Sequence, residues 1–170
     1  MLINRLDLLR CMQTVIKVVQ QKGAIPTLTG VSLSSENNLL HVLGTDLETG
    51  MEAQSICQGD IKTVLPAKML LDIVSKLSND TVEITMKEGT AEIKCGRSHY
   101  TISVMDFENY PIFPEIEAEP FSISLAELKK AINLTLFSAS NDETRGPLTG
   151  LCLDLTKKTL SATDGHRLSI

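Results

Sequence analysis

"LTGVSL" at residues 28–33 recurs as "LTGLCL" at residues 148–153, an offset of 120. Further on, "LGTDLE" at residues 43–48 is answered by "SATDGH" at residues 161–166, an offset of 118. The two-residue difference falls in the turn between the paired segments, where a change of length costs least. The preceding segments keep the first offset, pairing Asp7 with Glu127, Leu8 with Leu128, Met12 with Ile132 and Ile16 with Leu136. A helix and two strands returning after about 120 residues is a duplicated domain, too long for a solenoid unit. The expected organisation is one domain over 1–120 and the first part of a second, incomplete domain over 121–170. One helix and about two strands are too little to bury an independent core, so the expectation is a chain that is part of a larger protein.

Three segments read as helices. Residues 4–21 place Leu6, Leu9, Met12, Val15, Ile16 and Val19 on one stripe at 3.6-residue spacing, with Asn4 as N-cap and Gly23 then Pro26 as terminators. Residues 66–77 open with Pro66 at the first helical position and carry Met69, Leu70, Ile73, Val74 and Leu77. Residues 124–137 open with a capping box, Ser124 with Glu127. Alternating residues from 30 to 46 read as two strands joined at residues 36–38. Those from 81 to 106 read as a three-strand meander turning at residues 87–89 and 96–98. Residues 106–120, with three prolines and five acids, read as a linker. The class is therefore α+β.

Composition narrows the function. The chain is 42% hydrophobic and 22% charged, an ordinary globular balance. No apolar run reaches the roughly 20 residues that cross a bilayer, and the N-terminus "MLINRLDLLR" carries charges where a signal peptide is apolar, so a cytoplasmic protein without membrane contact is expected. Cys11, Cys57, Cys95 and Cys152 lie about 40 to 60 residues apart, with no metal-ligand spacing, and read as reduced apolar packers. No metal or cofactor is expected.

Net charge is −5, but its distribution is uneven. The predicted helices carry Arg5, Arg10, Lys17, Lys22, Lys68, Lys76, Lys129 and Lys130 against Asp7, Asp72 and Glu127, while the remainder holds 8 basic and 18 acidic residues. Basic helices on an acidic protein suit a polyanion on one face only. With aromatics at 4%, stacking on single-stranded bases is disfavoured, and contact with duplex phosphates would be sequence-independent.

The run "ATDGHRL" at residues 162–168 decides between catalysis and binding. Thr163-Asp164 repeats Thr45-Asp46, so it reads as a structural signature in which the Asx side chain bonds backbone at a strand end. Gly165-His166-Arg167 is particular to the second copy, where the first has Leu47, Glu48 and Thr49. No nucleophile motif, phosphate loop or carboxylate pair supports an enzyme. His41 and His99, in strand-like stretches, are expected to face solvent or pack. Two alternatives stay open: a hydrolase using Asp164 and His166, and a duplicated protein-interaction scaffold that does not bind DNA.

"PTLTGVSL" (26–33), "LGTDLE" (43–48), "VLPAKMLLDIV" (64–74), "YPIFPEIE" (110–117), "FSASNDETRGPLTG" (137–150) and "SATDGHRL" (161–168) together resemble the bacterial sliding clamp family, the beta subunits of DNA polymerase III. The resemblance implies a DNA-clamp fold: repeated domains with two helices on the inner face and antiparallel sheets outside. It implies a non-catalytic processivity factor whose full-length copies close as a homodimer ring around duplex DNA. It also implies a pocket for short linear peptides of the polymerase III catalytic subunit, the clamp loader and other proteins, to which Arg145, Leu148, Thr163, Gly165, His166, Arg167 and Leu168 correspond. Lys68 matches a basic DNA-contacting position, and Lys22, Arg10, Lys17 and Lys76 are the further candidates. The family's other DNA-contacting positions are not kept, since Ile25, Asp142, Gly146 and Pro147 stand there.

Overall fold

The structure, a computed structural model, describes residues 1–20, 25–111, 113 and 119–170. It divides into two compact units, Met1–Glu115 and Ile116–Ile170. The first contains strand β1 (Leu2–Asn4), helix α1 (Arg5–Val15), strands β2 (Gly30–Glu36), β3 (Leu39–Thr45), β4 (Gly50–Gln58) and β5 (Lys62–Pro66), helix α2 (Ala67–Lys76), and strands β6 (Thr81–Lys87), β7 (Thr90–Cys95) and β8 (Ser98–Ser103). The second contains helix α3 (Leu125–Thr135) and strands β9 (Cys152–Asp154), β10 (Thr159–Thr163) and β11 (Leu168–Ser169), with 3-10 turns between them.

Local chemistry places most of these elements. Asn4 caps α1, its side chain accepting from the amides of Leu6 and Asp7, and Ser124 caps α3, accepting from Glu127. The two helices share the offset of 120 at both ends. Asn37 and Asn38 turn the β2–β3 hairpin with φ of 53° and 62°, values that asparagine tolerates better than most residues. Gly89 and Gly96, both at positive φ, turn the β6–β7 and β7–β8 hairpins.

The eight strands of the first unit form one antiparallel sheet in the order β5-β2-β3-β4-β1-β6-β7-β8. Its two edges approach each other, because Met105, just past β8, donates its amide to Val64 O on β5 at 2.8 Å. Helices α1 and α2 pack on this sheet and on each other. The core joins Leu8, Met12 and Val15 of α1 and Leu70 and Val74 of α2 to Val31, Leu33, Leu40, Val42, Val82, Ile84 and Ile93. The buried face of α1 thus runs through Leu8, Cys11, Met12 and Val15, and Leu6 of the expected stripe is exposed. The helix also ends at Val15, earlier than the apolar period suggests, and the chain turns through Ile16–Val18. Strand β3 crosses tightly here: a Cβ on Gly44 would lie 2.9 Å from Val19 and 3.0 Å from Val15 O, which requires a residue without one.

Three other expectations change. Pro66 closes β5 and occupies the cap position, with α2 starting at Ala67. Tyr110 and Phe113, in the stretch expected to be linker, pack on the first unit: Tyr110 is 5% exposed, with its hydroxyl 3.1 Å from Leu43 O, and Phe113 lies against Gly50. Cys11, Cys57 and Cys95 are buried as expected, but Cys152 is exposed. His41 meets Glu52 across the β3–β4 pair at 2.5 Å, and His99 lies 3.7 Å from Glu92.

The second unit is a three-stranded antiparallel sheet, β11-β10-β9, with α3 against β10. Among its described residues only Thr135, Ser138, Ala139 and Ala162 are buried. Phe121, Ile123, Leu125, Leu153 and Leu155 are exposed.

Candidate functional site

The turn between β10 and β11 is set by five residues. Thr163 donates from Oγ1 to Arg167 O at 2.6 Å and accepts from Gly165 N at 3.0 Å. Asp164 Oδ1 accepts from His166 N at 2.9 Å and Arg167 N at 3.0 Å. The first unit repeats this bond for bond between β3 and β4: Thr45 Oγ1 to Thr49 O, Leu47 N to Thr45 Oγ1, and Glu48 N and Thr49 N to Asp46 Oδ1. Thr-Asp is therefore a turn-forming device in both copies, as its repetition suggested. The third residue is left-handed in each, Gly165 at φ 87° and Leu47 at 80°, and only the second copy has the glycine that conformation favours.

This bonding engages both carboxylate oxygens of Asp164 within the turn. The amides of His166 and Arg167 hold its carboxyl below the usual carboxylate range, with the Arg167 charge adding to the effect. Its other oxygen takes the Arg167 guanidinium at 2.9 Å, and no hydrogen bond joins it to the His166 imidazole. Asp46 is likewise lowered, first by the Thr49 amide. Among the described residues, no group of three or more His, Cys, Asp or Glu side chains is arranged to hold a metal.

The sequence-predicted pocket residues fall on two adjoining clefts of the second unit. Leu148, Thr163 and Leu168 line a groove of about 400 Å³ with Pro147, Gly150 and Ser161. Arg145, His166 and Arg167 line a more polar cleft of about 310 Å³ with Ser140, Asp142 and Asp164. Gly165 sits at the turn beside Arg145, which donates from Nη1 to Asp164 O at 2.5 Å and so ties the two walls. Phe137, which the sequence reading passed over, lies under Arg167 with its ring centroid 5.9 Å from the guanidinium carbon. Its signal was its place in "FSASNDETR" ahead of Arg145.

The basic candidates are less concentrated. Lys68 and Lys76 are exposed on α2, with Asp72 between them, and neither forms an ion pair among the described residues. Arg10 is exposed on α1 and reaches Asp7 at 3.3 Å. Lys17 is exposed beyond the end of α1, and Lys22 lies outside the described residues. The departures from the family pattern have local work. Asp142 caps the following turn by accepting from Thr144 N at 3.0 Å, and Gly146 adopts φ 51° ahead of Pro147.

Two units on one helix-and-hairpin plan, each with helix packed on antiparallel sheet, are the architecture of a DNA clamp. The chain belongs to the DNA polymerase III beta subunit family: residues 1–114 match its N-terminal domain and residues 122–170 its central domain. The Beta sliding clamp of Pseudomonas aeruginosa is 34% identical over 180 residues, covering 99% of this chain and 48% of that protein. That of Haemophilus influenzae is 33% identical over 175 residues, with the same coverage of 99% and 48%. The crystal structure of the P. aeruginosa beta subunit superposes with a TM-score of 0.90 at 33% identity, over 98% of this chain and 47% of that one. The beta chain from Streptococcus pneumoniae gives 0.90 at 29% identity, over 98% and 48%. The chain thus spans about half the length of the curated relatives it matches. A P. aeruginosa clamp is also known bound to griselimycin, with a TM-score of 0.84 at 31% identity, over 98% of this chain and 47% of that one.

Proposed function

We propose that this chain is the DNA-encircling, polymerase-tethering part of a sliding clamp, a processivity factor without catalytic activity or cofactor, working in the cytoplasm. Residues 1–120 form clamp domain one, and 121–170 the first part of domain two. The observation that carries this reading is the doubled Thr-Asp turn: common to both units, it bears Gly-His-Arg-Leu only in the unit matching the central domain.

In the full-length protein, two copies close head to tail around duplex DNA. Lys68, Lys76, Arg10, Lys17 and Lys22 present positive charge to the phosphates, which holds the duplex without reading its sequence and weakens as salt rises. The clefts at Arg145, Leu148, Thr163, Gly165, His166, Arg167 and Leu168 receive short linear peptides of the polymerase III catalytic subunit, the clamp loader and other proteins. Tethering then replaces repeated bimolecular encounters by a high effective concentration at the template.

The test is retention on DNA by the full-length protein. Circular plasmid should hold it far longer than the same plasmid linearised, and equal retention rejects the ring. His166→Ala with Arg167→Ala should weaken a polymerase-tail peptide at least tenfold, and unchanged affinity rejects the pocket.

A further inference from the structure

An antiparallel sheet with one face in water carries polar residues on that face at every second position. The first unit keeps to this on the face turned away from its core, where Glu36, Gln54, Gln58, Thr81 and Glu83 are exposed. Three residues break the pattern, and they meet. Leu39 of β3 stands directly opposite Ile56 of β4. The Cys57 amide donates to Asn38 O at 2.9 Å, so the adjoining Leu39–Ile56 pair is of the non-hydrogen-bonded kind, in which side chains stand closest. On the other side of β4, Leu2 of β1 pairs with Gln58, two residues along from Ile56, and is therefore its diagonal neighbour. The other outward leucine of β3, Leu43, lies in a cleft walled by Tyr110 and Phe113. Among the described residues nothing comparable lies over Ile56, which is 80% exposed, and Leu2 beside it is 40% exposed.

Carboxylates ring this apolar centre. Glu36 pairs across the hairpin with Leu39, and Glu83 of β6 pairs with Leu2. Asp60 follows β4 in the turn that Ser35 N holds beside β2 through Ile61 O at 2.8 Å. All three acids are exposed, and none forms an ion pair among the described residues. The cations nearest by register are already engaged. Lys94, opposite Glu83, reaches Glu92 at 3.6 Å, and the Met1 amine donates to Ile84 O at 2.9 Å. An apolar spot within unpaired negative charge suits an occupant that brings both an apolar side chain and positive charge.

We infer that this face of the first unit docks a basic amphipathic segment of a partner protein. An apolar side chain of the segment sits on Ile56 between Leu2 and Leu39, and its lysines or arginines reach Glu36, Asp60 and Glu83. Two other occupants fit the charge badly. The phosphates of a nucleic acid are repelled by the same carboxylates, and a second copy brings the same acidic face on a chain of net charge −5. The inference rests on the first unit alone, so it holds or fails separately from the peptide clefts and the DNA contacts proposed above.

The probe is a fluorescent peptide of leucine and lysine, about 14 residues long and patterned as an amphipathic helix, titrated into the 170-residue chain by anisotropy. Saturable binding is expected. Ile56→Asn should weaken it about tenfold or more, because the apolar contact is lost. Ile56 is 80% exposed, so this variant should fold, which far-UV circular dichroism checks. Glu36→Gln with Asp60→Asn and Glu83→Gln, all at exposed positions, is the second variant; it should weaken the probe about threefold or more and flatten its salt dependence. A probe of the same composition with its leucines scattered off one face, and one with glutamate for every lysine, should bind at least about tenfold more weakly. No saturable binding, equal binding of either control probe, or binding unmoved by Ile56→Asn overturns the inference. A dimer of the chain in sedimentation that Ile56→Asn dissolves would assign the face to a second copy and overturn the basic partner.

Discussion

Replacing Tyr110 tests whether the 106–113 segment is part of the first unit's core. The ring is 5% exposed and its hydroxyl reaches Leu43 O at 3.1 Å and Gly30 O at 3.3 Å. Truncating a buried aromatic to alanine costs about 3–5 kcal/mol, and this site opens toward the surface and can partly collapse, so about 3 kcal/mol is expected for Tyr110→Ala. Tyr110→Phe keeps the packing and loses one hydrogen bond, about 1 kcal/mol. Urea unfolding followed by far-UV circular dichroism measures both. The two variants should separate from each other as well as from the parent. An independent check comes from pH, because burial pushes the Tyr110 phenol up to about 12 from an ordinary 10. The fold favours the neutral phenol, so this stabilisation is intact below pH 10 and is lost as pH rises toward 12. The parent should lose more stability over that interval than Tyr110→Phe does. A Tyr110→Ala variant within 1 kcal/mol of the parent, or parallel alkaline profiles, would refute the reasoning and return these residues to linker.

Two further outcomes follow from the duplicated turn. Leu47→Gly removes a left-handed leucine that is 58% exposed; it should leave stability unchanged or raise it by about 0.5–1 kcal/mol, whereas Gly165→Leu should cost about 1–2 kcal/mol, both read from urea midpoints. Because the Asp164 carboxyl is held low by the amides of His166 and Arg167, its contribution is present above the ordinary carboxylate range and is lost as pH falls through the lowered value. Hydrogen exchange normalised for intrinsic rates should therefore show these two amides losing protection only in acid below about pH 4, and Asp164→Ala should expose them at neutral pH.

What the sequence could and could not reveal divides by distance along the chain. The β2–β3 hairpin and the β6–β8 meander were readable because alternation and turn residues lie within a few positions of one another. β4 went unread: its packed face offers Met51, Ala53 and Ser55 rather than large β-branched residues, and its burial comes from α1 lying across it. The stripe on α1 was displaced for a related reason. Leu6 and Leu8 both fit an apolar period, and only the neighbouring sheet makes Leu8 the buried one. At the candidate site, Gly165-His166-Arg167-Leu168 stood out by contrast with the first copy, whereas Phe137 beneath Arg167 depended on a contact 30 residues away.

The sequence alone determined the duplication, the helix caps and the Thr-Asp turns, because each rests on offsets that can be counted or on hydrogen bonds spanning at most four residues. Tertiary structure alone decided that Tyr110 covers the β2–β3 pair, that Phe113 lies against Gly50, and that Gly44 admits the end of α1. Burial is a property of surfaces that meet from distant parts of the chain, and no local pattern of residues states which of them will meet.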